Sequence, residues 1–231
     1  MSHRLVVLIS GRGSNLQAII DAIARDELAA EIALVISSRP DAPGLKLAAA
    51  AGVPSAVVNR RDHANRAAFE KVLRAEMEVH SPDTVVLAGF MHVLGPELVQ
   101  AFQGRMLNIH PSLLPDYRGL DTHARVLAAG ETEHGCSVHF VTEELDGGPL
   151  VARARVPVLA NDTEESLSKR VQSREHVLYP LVLAWRTTGR LELTDQGVKL
   201  DGRVLPAEGF MLDWEDDPRT AAVADSADAE R

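Results

Sequence analysis

The chain has 231 residues, of which 45% are hydrophobic, so it is long enough to bury a full core. The formal net charge is -9 at pH 7, with -5 in residues 213–231 and -4 in the rest, which argues against nucleic acid as the main partner. A single cysteine, Cys136, excludes an internal disulfide framework. Because no apolar run has the length of a membrane span or a signal peptide, we expect a cytoplasmic protein that does not bind membranes.

Apolar runs alternate with helical patterns over the first half of the chain. The strand-like runs are "RLVVLIS", "EIALVISS", "SAVVN", "DTVVLAGF" and "RMLNIH", and the helical patterns between them are "NLQAIIDAIARDEL", "GLKLAAAAG", "HANRAAFEKVLRAEMEVH" and "PELVQAF". Short buried strands separated by helices are typical of a parallel sheet with crossover connections. The sequence therefore predicts an α/β fold with a doubly wound, mostly parallel, Rossmann-like sheet.

The pattern changes after residue 130. The runs "CSVHFVT" and "LVARARVPV" predict an antiparallel addition to the sheet. A long helix is predicted in "DTEESLSKRVQSREHVLYPLVLAWRTTG", with Asp162 and Glu165 as a capping box, followed by short strands in "RLELT", "GVKL" and "GRVL". We predict one domain over residues 1–212 and an acidic, disordered tail over residues 213–231, which lack periodicity.

A glycine-rich turn in "LISGRGSNLQAI" joins the first strand to the first helix. Free backbone N–H groups and the dipole at a helix N-terminus favour an anion, so the turn predicts a phosphate site, and a Cβ at Gly13 is expected to crowd that anion. Leu16 stands where the dinucleotide fingerprint requires glycine, and Ser14 and Asn15 stand where a P-loop requires Lys-Ser/Thr. A monophosphate site and a plain helix cap are the two remaining interpretations.

The segment "LNIHPSLLP" places Asn108 and His110 at the end of a strand. Residues i and i+2 of a strand share one face, and ligands of doubly wound sheets bind beyond the carboxyl ends of the strands. An amide can donate a hydrogen bond to an oxyanion, and an imidazole can take or give a proton, which suits acyl transfer. A purely structural histidine at the strand end is the alternative.

Asp146 lies in the turn "EELDGGP". A carboxylate within about 4 to 6 Å of an imidazole favours the imidazolium, so Asp146 is a candidate partner of His110. Spacing along the chain does not by itself bring residues 110 and 146 together, and an aspartate that only starts a turn is the alternative.

Five separated blocks carry a resemblance to a known family. The blocks "GRGSNLQAI", "DTVVLAGFMHVLGPELV", "LNIHPSLLP", "HGCSVHFVTEELDGGP" and "RVQSREHVLYP", between residue 4 and about residue 210, resemble the phosphoribosylglycinamide formyltransferases, the folate-dependent transformylases of purine synthesis. The resemblance implies transfer of a formyl group from the co-substrate 10-formyltetrahydrofolate to the glycinamide amine of 5′-phosphoribosylglycinamide (GAR). It also implies that Asn108, His110 and Asp146 carry catalysis, with Asp146 keeping His110 cationic near neutral pH.

The same resemblance implies where the two substrates bind, with phosphate binding in the N-terminal half of the domain and folate binding in the C-terminal half. The GAR phosphate would lie on Gly13, Ser14 and Asn15, with Glu175 near the ribose. The folate would contact the following residues: Arg66, Met91, His92, Val93, Leu94 and Asn108. The family often has arginine in the block that reads "MHVL" here, so His92 leaves the contact with the folate glutamate tail open.

Three other functions are alternatives to GAR formylation. The "YRG" at residues 117–119 resembles the methionyl-tRNA formyltransferases, and a formyltetrahydrofolate hydrolase would use water as acceptor. We expect neither the nucleic-acid-binding extension of the first nor the additional N-terminal domain of the second, and a non-catalytic phosphate-binding module would leave Asn108, His110 and Asp146 without a purpose.

None of the nine histidines falls in a ligand spacing such as HExxH, so we expect no metal. A homodimer is one candidate for the oligomeric state.

Overall fold

A computed structural model describes residues 2–213, and its centre is an eight-stranded sheet with the order β11-β7-β6-β5-β4-β1-β2-β3. A separate three-stranded sheet has the order β10-β9-β8. The strands are β1 (His3–Ile9), β2 (Ala30–Ser37), β3 (Ser55–Val57), β4 (Thr84–Leu87), β5 (Met106–His110), β6 (Glu133–Phe140), β7 (Leu150–Pro157), β8 (Leu191–Thr194), β9 (Gly197–Leu200), β10 (Arg203–Val204) and β11 (Phe210–Leu212).

Strands β1 to β5, numbered along the chain, pair parallel with their neighbours among them. β6 pairs antiparallel with both β5 and β7. The predicted α/β class, the mostly parallel sheet and the antiparallel addition after residue 130 are therefore confirmed. β11 pairs parallel with β7 and was not predicted. Of the predicted tail, only Asp213 belongs to the described residues.

Six α-helices connect or flank these strands within residues 2–213. They are α1 (Ser14–Ala24), α2 (Gly44–Ala50), α3 (Arg66–Val79), α4 (Pro96–Ala101), α5 (Thr122–Ala129) and α6 (Glu164–Thr187). The predicted capping box of α6 is wrong: Thr163 is the N-cap, and its hydroxyl accepts the Ser166 N–H while the Ser166 hydroxyl accepts the Thr163 N–H. No helix in this part of the chain is long and apolar enough to cross a membrane.

The sheet separates two apolar clusters, and alternate residues of β1 enter each of them. Leu5, Val7 and Ile9 pack with α1 and α6 on one face, whereas Val6 and Leu8 pack with α3 and α4 on the other. β1 pairs with β2 on one side and β4 on the other, so the strand order reverses at β1. In doubly wound sheets, ligands bind in the crevice beyond the carboxyl ends of the strands, where the strand order reverses. The segments that follow β1, β4 and β5 leave the sheet at this carboxyl edge.

Candidate active site

His110 lies at the carboxyl end of β5, and both of its ring nitrogens face acceptors. Nε2 donates a hydrogen bond to the Tyr117 carbonyl at 3.0 Å, and Nδ1 lies 3.4 Å from Oδ2 of Asp146. The side chains of His110 and Asp146 are only 7% and 8% exposed. The structure thus brings together two residues that spacing along the chain could not connect, and a ring with two acceptors can hold or release a proton.

The surroundings of His110 oppose the imidazolium that was expected near neutral pH. Burial lowers the pKa of His110, while the Tyr117 carbonyl and the Asp146 charge raise it without cancelling the effect of burial. The sequence-based interpretation counted the carboxylate but could not count the desolvation of the cation in a buried position. In the free protein, His110 therefore has a lower pKa than an ordinary histidine and is more readily neutral near pH 7.

Asp146 is held in a left-handed backbone conformation, with φ of 49°. Such a conformation costs a non-glycine residue about 1 to 3 kcal/mol and persists only where the surroundings enforce it. A Cβ at the nearby Gly148 would lie 1.8 Å from the Phe140 carbonyl oxygen, so the turn must pack its backbone directly against β6. Strain at this point fits a turn whose task is to place one carboxylate.

Contacts around Asp146 keep it ionised. Burial alone would raise the pKa of Asp146, but the nearby His139 ring, whose Nε2 lies 3.7 Å from Oδ1, the hydrogen bond from the Gly119 N–H and the charge of His110 lower it below the ordinary value. The Gly119 N–H donates to Oδ2 at 2.9 Å. The carboxylate therefore joins the loop after β5 to the loop between β6 and β7.

Asn108 shares its face of β5 with His110 and is oriented by a residue that the sequence analysis missed. Its Nδ2 lies 3.1 Å from Nε2 of His139, whose Nδ1 lies 2.9 Å from the Phe140 carbonyl. If Nδ1 of His139 carries the proton and donates to that carbonyl, its Nε2 accepts from the Asn108 amide. The antiparallel register pairs Asn108 directly with His139, a long-range pairing that no local motif predicts.

A second histidine pair lies behind His110. Nδ1 of His123, at the start of α5, lies 2.9 Å from Nε2 of His134 on β6. Burial, followed by the charges of His123 and His110, lowers the pKa of His134 to about 4. Within residues 2–213, no group of three or more His, Cys, Asp or Glu side chains could hold a metal ion, and the expected absence of a metal stays a prediction.

The glycine turn after β1 leads directly into a helix, and its glycine has a role in packing. Gly13 has φ of 78° and caps α1, which begins at Ser14. A Cβ at Gly13 would lie 2.7 Å from the Gly44 Cα at the start of α2. This Cβ would therefore meet protein backbone, and the expectation that it would also crowd a bound anion stays a prediction.

Residues of α6 lie against the start of α1. The amide of Asn15 donates to Oε2 of Glu175 at 2.9 Å, and the Gln172 amide donates to the Ser14 hydroxyl at 2.9 Å. Burial raises the pKa of Glu175, while the Asn15 hydrogen bond and the Arg12 charge oppose the rise. Oδ1 of Asn15 is buried and has no hydrogen-bond partner within the described chain.

A cavity of about 400 Å³ opens beside this turn, not at His110. Its lining comes from the turn and from α6: Arg12, Glu164, Glu165, Ser168, Lys169 and Gln172. Arg12 and Gln172 were not among the predicted site residues, although Arg12 lies inside the glycine-rich motif. Arg12 brings positive charge beside the start of α1, where anions are already favoured, whereas Lys169 pairs with Glu165 on the same wall of the cavity.

The predicted folate segment connects β4 to α4. Met91 and Val93 are 65% and 52% exposed, whereas Leu94 is buried. The Met91 N–H donates to the Ser10 hydroxyl at 2.9 Å, and the Gly95 N–H donates to Oε1 of Glu70 at 2.8 Å.

Two side chains near this segment complete the predicted folate contacts. The His92 ring packs against Phe69 and Phe90 with centroid distances of 5.5 and 5.3 Å. Burial, and then the charge of Arg60, lowers the pKa of His92. Arg66, at the start of α3, is 56% exposed and lies 3.6 Å from Glu70. Both side chains therefore contact residues of α3, His92 through Phe69 and Arg66 through Glu70.

The fold and the residues at the carboxyl ends of the parallel strands indicate the family to which the chain belongs. The family model described as "Formyl transferase" matches residues 3–183, and the chain belongs to this family.

Individual relatives narrow the resemblance. The chain is 48% identical over 209 residues to the phosphoribosylglycinamide formyltransferase of Escherichia coli (strain K12), covering 90% of this chain and 99% of that protein. The solved structure of the phosphoribosylglycinamide formyltransferase of Coxiella burnetii aligns with a TM-score of 0.88 and 50% identity, covering 92% and 100% of the two chains. Glycinamide ribonucleotide transformylase 1 of Symbiobacterium toebii aligns with a TM-score of 0.83 and 40% identity, covering 86% and 94%. The predicted resemblance is confirmed.

Proposed function

We propose that this chain transfers the formyl group of 10-formyltetrahydrofolate to the glycinamide amine of GAR in purine biosynthesis. The observation that carries the proposal is the meeting of His110, Asp146 and Asn108 at the sheet edge that also holds the glycine turn. Relatives that span nearly the full described chain and are named for this reaction support it. Residues suited to acyl transfer thus lie at the same sheet edge as a helix start suited to a phosphate. Formyl transfer to an amine that carries a phosphate requires both.

The acceptor end uses the start of α1 and the facing side of α6. The GAR phosphate binds the N–H groups of Gly13, Ser14 and Asn15, where the helix dipole favours negative charge. The buried carboxylate of Glu175 and the unpartnered Oδ1 of Asn15 accept hydrogen bonds from ribose hydroxyls. This arrangement directs the glycinamide amine away from α6 and toward the end of β5.

The donor end uses the segment between β4 and α4. The pterin lies along the backbone of residues 91–94 and reaches Asn108, while Arg66 pairs with a carboxylate of the folate tail. The His92 ring packs against two phenylalanines, so it contributes stacking surface to the folate site. Arg66 is then the residue that pairs with the negative charge of the folate tail.

Catalysis begins when the neutral amine of GAR attacks the formyl carbon, forming a C–N bond and placing negative charge on the formyl oxygen. Asn108 donates to this oxyanion. His110, with its low pKa, takes the proton that the attacking nitrogen loses, and the adjacent Asp146 charge stabilises the resulting imidazolium. The bond to the folate nitrogen then breaks, and His110 returns the proton to that nitrogen. On binding, Nε2 of His110 leaves the Tyr117 carbonyl and the ring proton lies on Nδ1, which faces Asp146, so that Nε2 is the nitrogen that takes and returns the transferred proton.

Several narrower statements stay predictions: the absence of a metal, the cytoplasmic location and the homodimer. Light scattering of the purified chain over a range of concentrations would measure the oligomeric state.

The experiment that tests the function compares acceptors. The purified chain is incubated with 10-formyltetrahydrofolate and one of four acceptors: GAR, the same nucleoside without its phosphate, methionyl-tRNA, or water alone. We expect formyl-GAR as the product, a much higher KM for the dephosphorylated acceptor, and no formylated tRNA. Rapid formate release without an acceptor would instead identify a hydrolase, and formylmethionyl-tRNA would identify the tRNA-directed relative.

A further inference from the structure

Glu70 holds the end of the segment between β4 and α4. It lies on α3, is 8% exposed, and accepts the Gly95 N–H on Oε1 at 2.8 Å. Gly95 is the N-cap residue of α4 and supplies no side-chain cap of its own. The carboxylate from α3 therefore satisfies the N–H of the N-cap residue itself, as the third helical residue does in a capping box, and holds the point at which residues 91–94 lead into the helix.

The same carboxylate oxygen also faces Arg66. Nε of Arg66 lies 3.6 Å from Oε1 of Glu70, one helical turn away on α3, while most of the arginine side chain reaches solvent. One oxygen thus contacts both the backbone end of residues 91–94 and the base of an exposed guanidinium. A shift of this carboxylate would move both groups.

The carboxylate of Glu70 packs closely against the Gly95 backbone. A Cβ at position 95 would lie 2.7 Å from Oε2 of Glu70, so the glycine allows the close approach. Burying a carboxylate costs free energy unless charge-assisted hydrogen bonds offset it. An apolar residue would fill the same space without that cost, so the charge has a role other than filling volume.

We infer that Glu70 is a positioning residue for the folate end of the site. It sets the direction of Arg66 and the path of residues 91–94 without touching a substrate. The inference rests on the proposed function, which assigns both groups to the folate.

The test compares Glu70→Gln and Glu70→Ala with wild type in the formyl-transfer assay. The control is Glu78→Gln, which removes the partner of Arg74 in an exposed pair with the same spacing on the same helix. Donors are 10-formyltetrahydrofolate and 10-formyltetrahydropteroate, which lacks the glutamate tail. Steady-state KM is measured for each donor and for GAR, and melting temperature is recorded for every variant.

Glu70→Gln keeps an oxygen for the Gly95 N–H but loses the charge beside Arg66. We expect its KM to rise several-fold for the folate with a tail and to stay unchanged for the tail-less donor and for GAR. Glu70→Ala loses both contacts, so KM should rise roughly tenfold or more for both donors and stay unchanged for GAR.

Three outcomes would overturn the inference: an unchanged donor KM in Glu70→Ala, an equal rise for donors and GAR, or the same change in Glu78→Gln. If Glu70→Ala does not fold, the two donors with Glu70→Gln decide the question. A wild-type chain that does not formylate GAR would contradict the proposed function itself, whereas an active wild type with an indifferent Glu70 would contradict only this inference.

Discussion

Nδ1 of His110 lies 3.4 Å from Oδ2 of Asp146, and the two side chains are almost completely buried. One comes from the end of a parallel strand and the other from a strained turn between two antiparallel strands. Burial favours the neutral ring, whereas the carboxylate favours the charged one. This opposition gives a histidine that can take a proton during the reaction and return it.

Asp146→Asn should shift the pH dependence of formyl transfer. The change removes the charge that raises the pKa of His110 and leaves the burial that lowers it, so that pKa should fall further. Activity near neutral pH should drop, and the ionisation assigned to His110 should move to lower pH. Rates measured between about pH 5 and 9 test this, with Asp201→Asn in the small sheet as control; an unmoved ionisation would contradict the role of Asp146.

Gly13→Ala should destabilise the fold more than Gly52→Ala. Both glycines have positive φ, at 78° and 68°, but a Cβ at Gly52 meets nothing within 4 Å, whereas one at Gly13 meets the Gly44 backbone. We expect a loss of about 1 kcal/mol at Gly52 from the backbone alone and roughly 1 to 3 kcal/mol more at Gly13. Urea unfolding measures both. Equal losses, with a KM rise for GAR only in Gly13→Ala, would favour the anion-crowding interpretation.

Glu175→Gln should weaken the acceptor more than the donor. The amide keeps one oxygen for Asn15 but loses the charge that accepts ribose hydroxyls, and charged hydrogen bonds are about twice as strong as neutral ones. KM for GAR should rise roughly five- to tenfold, corresponding to about 1 to 1.4 kcal/mol, with KM for the folate unchanged. Glu165→Gln, on the wall of the nearby cavity, is the control. A rise in both KM values of Glu175→Gln would indicate a structural role.

His134 should make the folded state sensitive to acid. Its pKa is about 4 in the folded chain against 6.5 in the unfolded one, so the unfolded chain binds more protons between these values. Stability from this group is present above pH 6.5 and is lost as the pH falls toward 4, by about 3 kcal/mol in total. Free energies of unfolding across this range should depend less on pH in His134→Gln than in wild type. His80→Gln is the control, and parallel curves for wild type and His134→Gln would contradict the assignment.

Local patterns predicted much of the fold and part of the site. The strand period placed Asn108 and His110 on one face, and the alternation of strands and helices predicted the parallel sheet. The cap of α6 was misplaced by one residue because Asp162, Thr163 and Ser166 all suit a helix start, and only the backbone decides among them.

What depends on distant pairing could not be predicted from the pattern. His139 reaches Asn108 through an antiparallel register between β5 and β6, and Glu70 reaches Gly95 across two helices. The pKa of His110 is set mainly by burial, which sequence spacing does not measure. The proximity of His110 and Asp146 was implied by the resemblance to a family, whereas the local motifs did not predict it.

The central claim is that Asn108, His110 and Asp146 act as one unit on a single transition state. Single-turnover formyl transfer of bound substrates is measured for wild type, Asn108→Ala, Asp146→Asn and the double variant, with GAR and folate affinities measured separately. Removal of an oxyanion donor such as Asn108 costs roughly 100- to 1000-fold in rate. Groups acting together give non-additive losses, so the double variant should lose much less than the product of the two single losses, with affinities nearly unchanged. Fully multiplicative losses, or affinities that collapse while the chemical rate holds, would contradict the account.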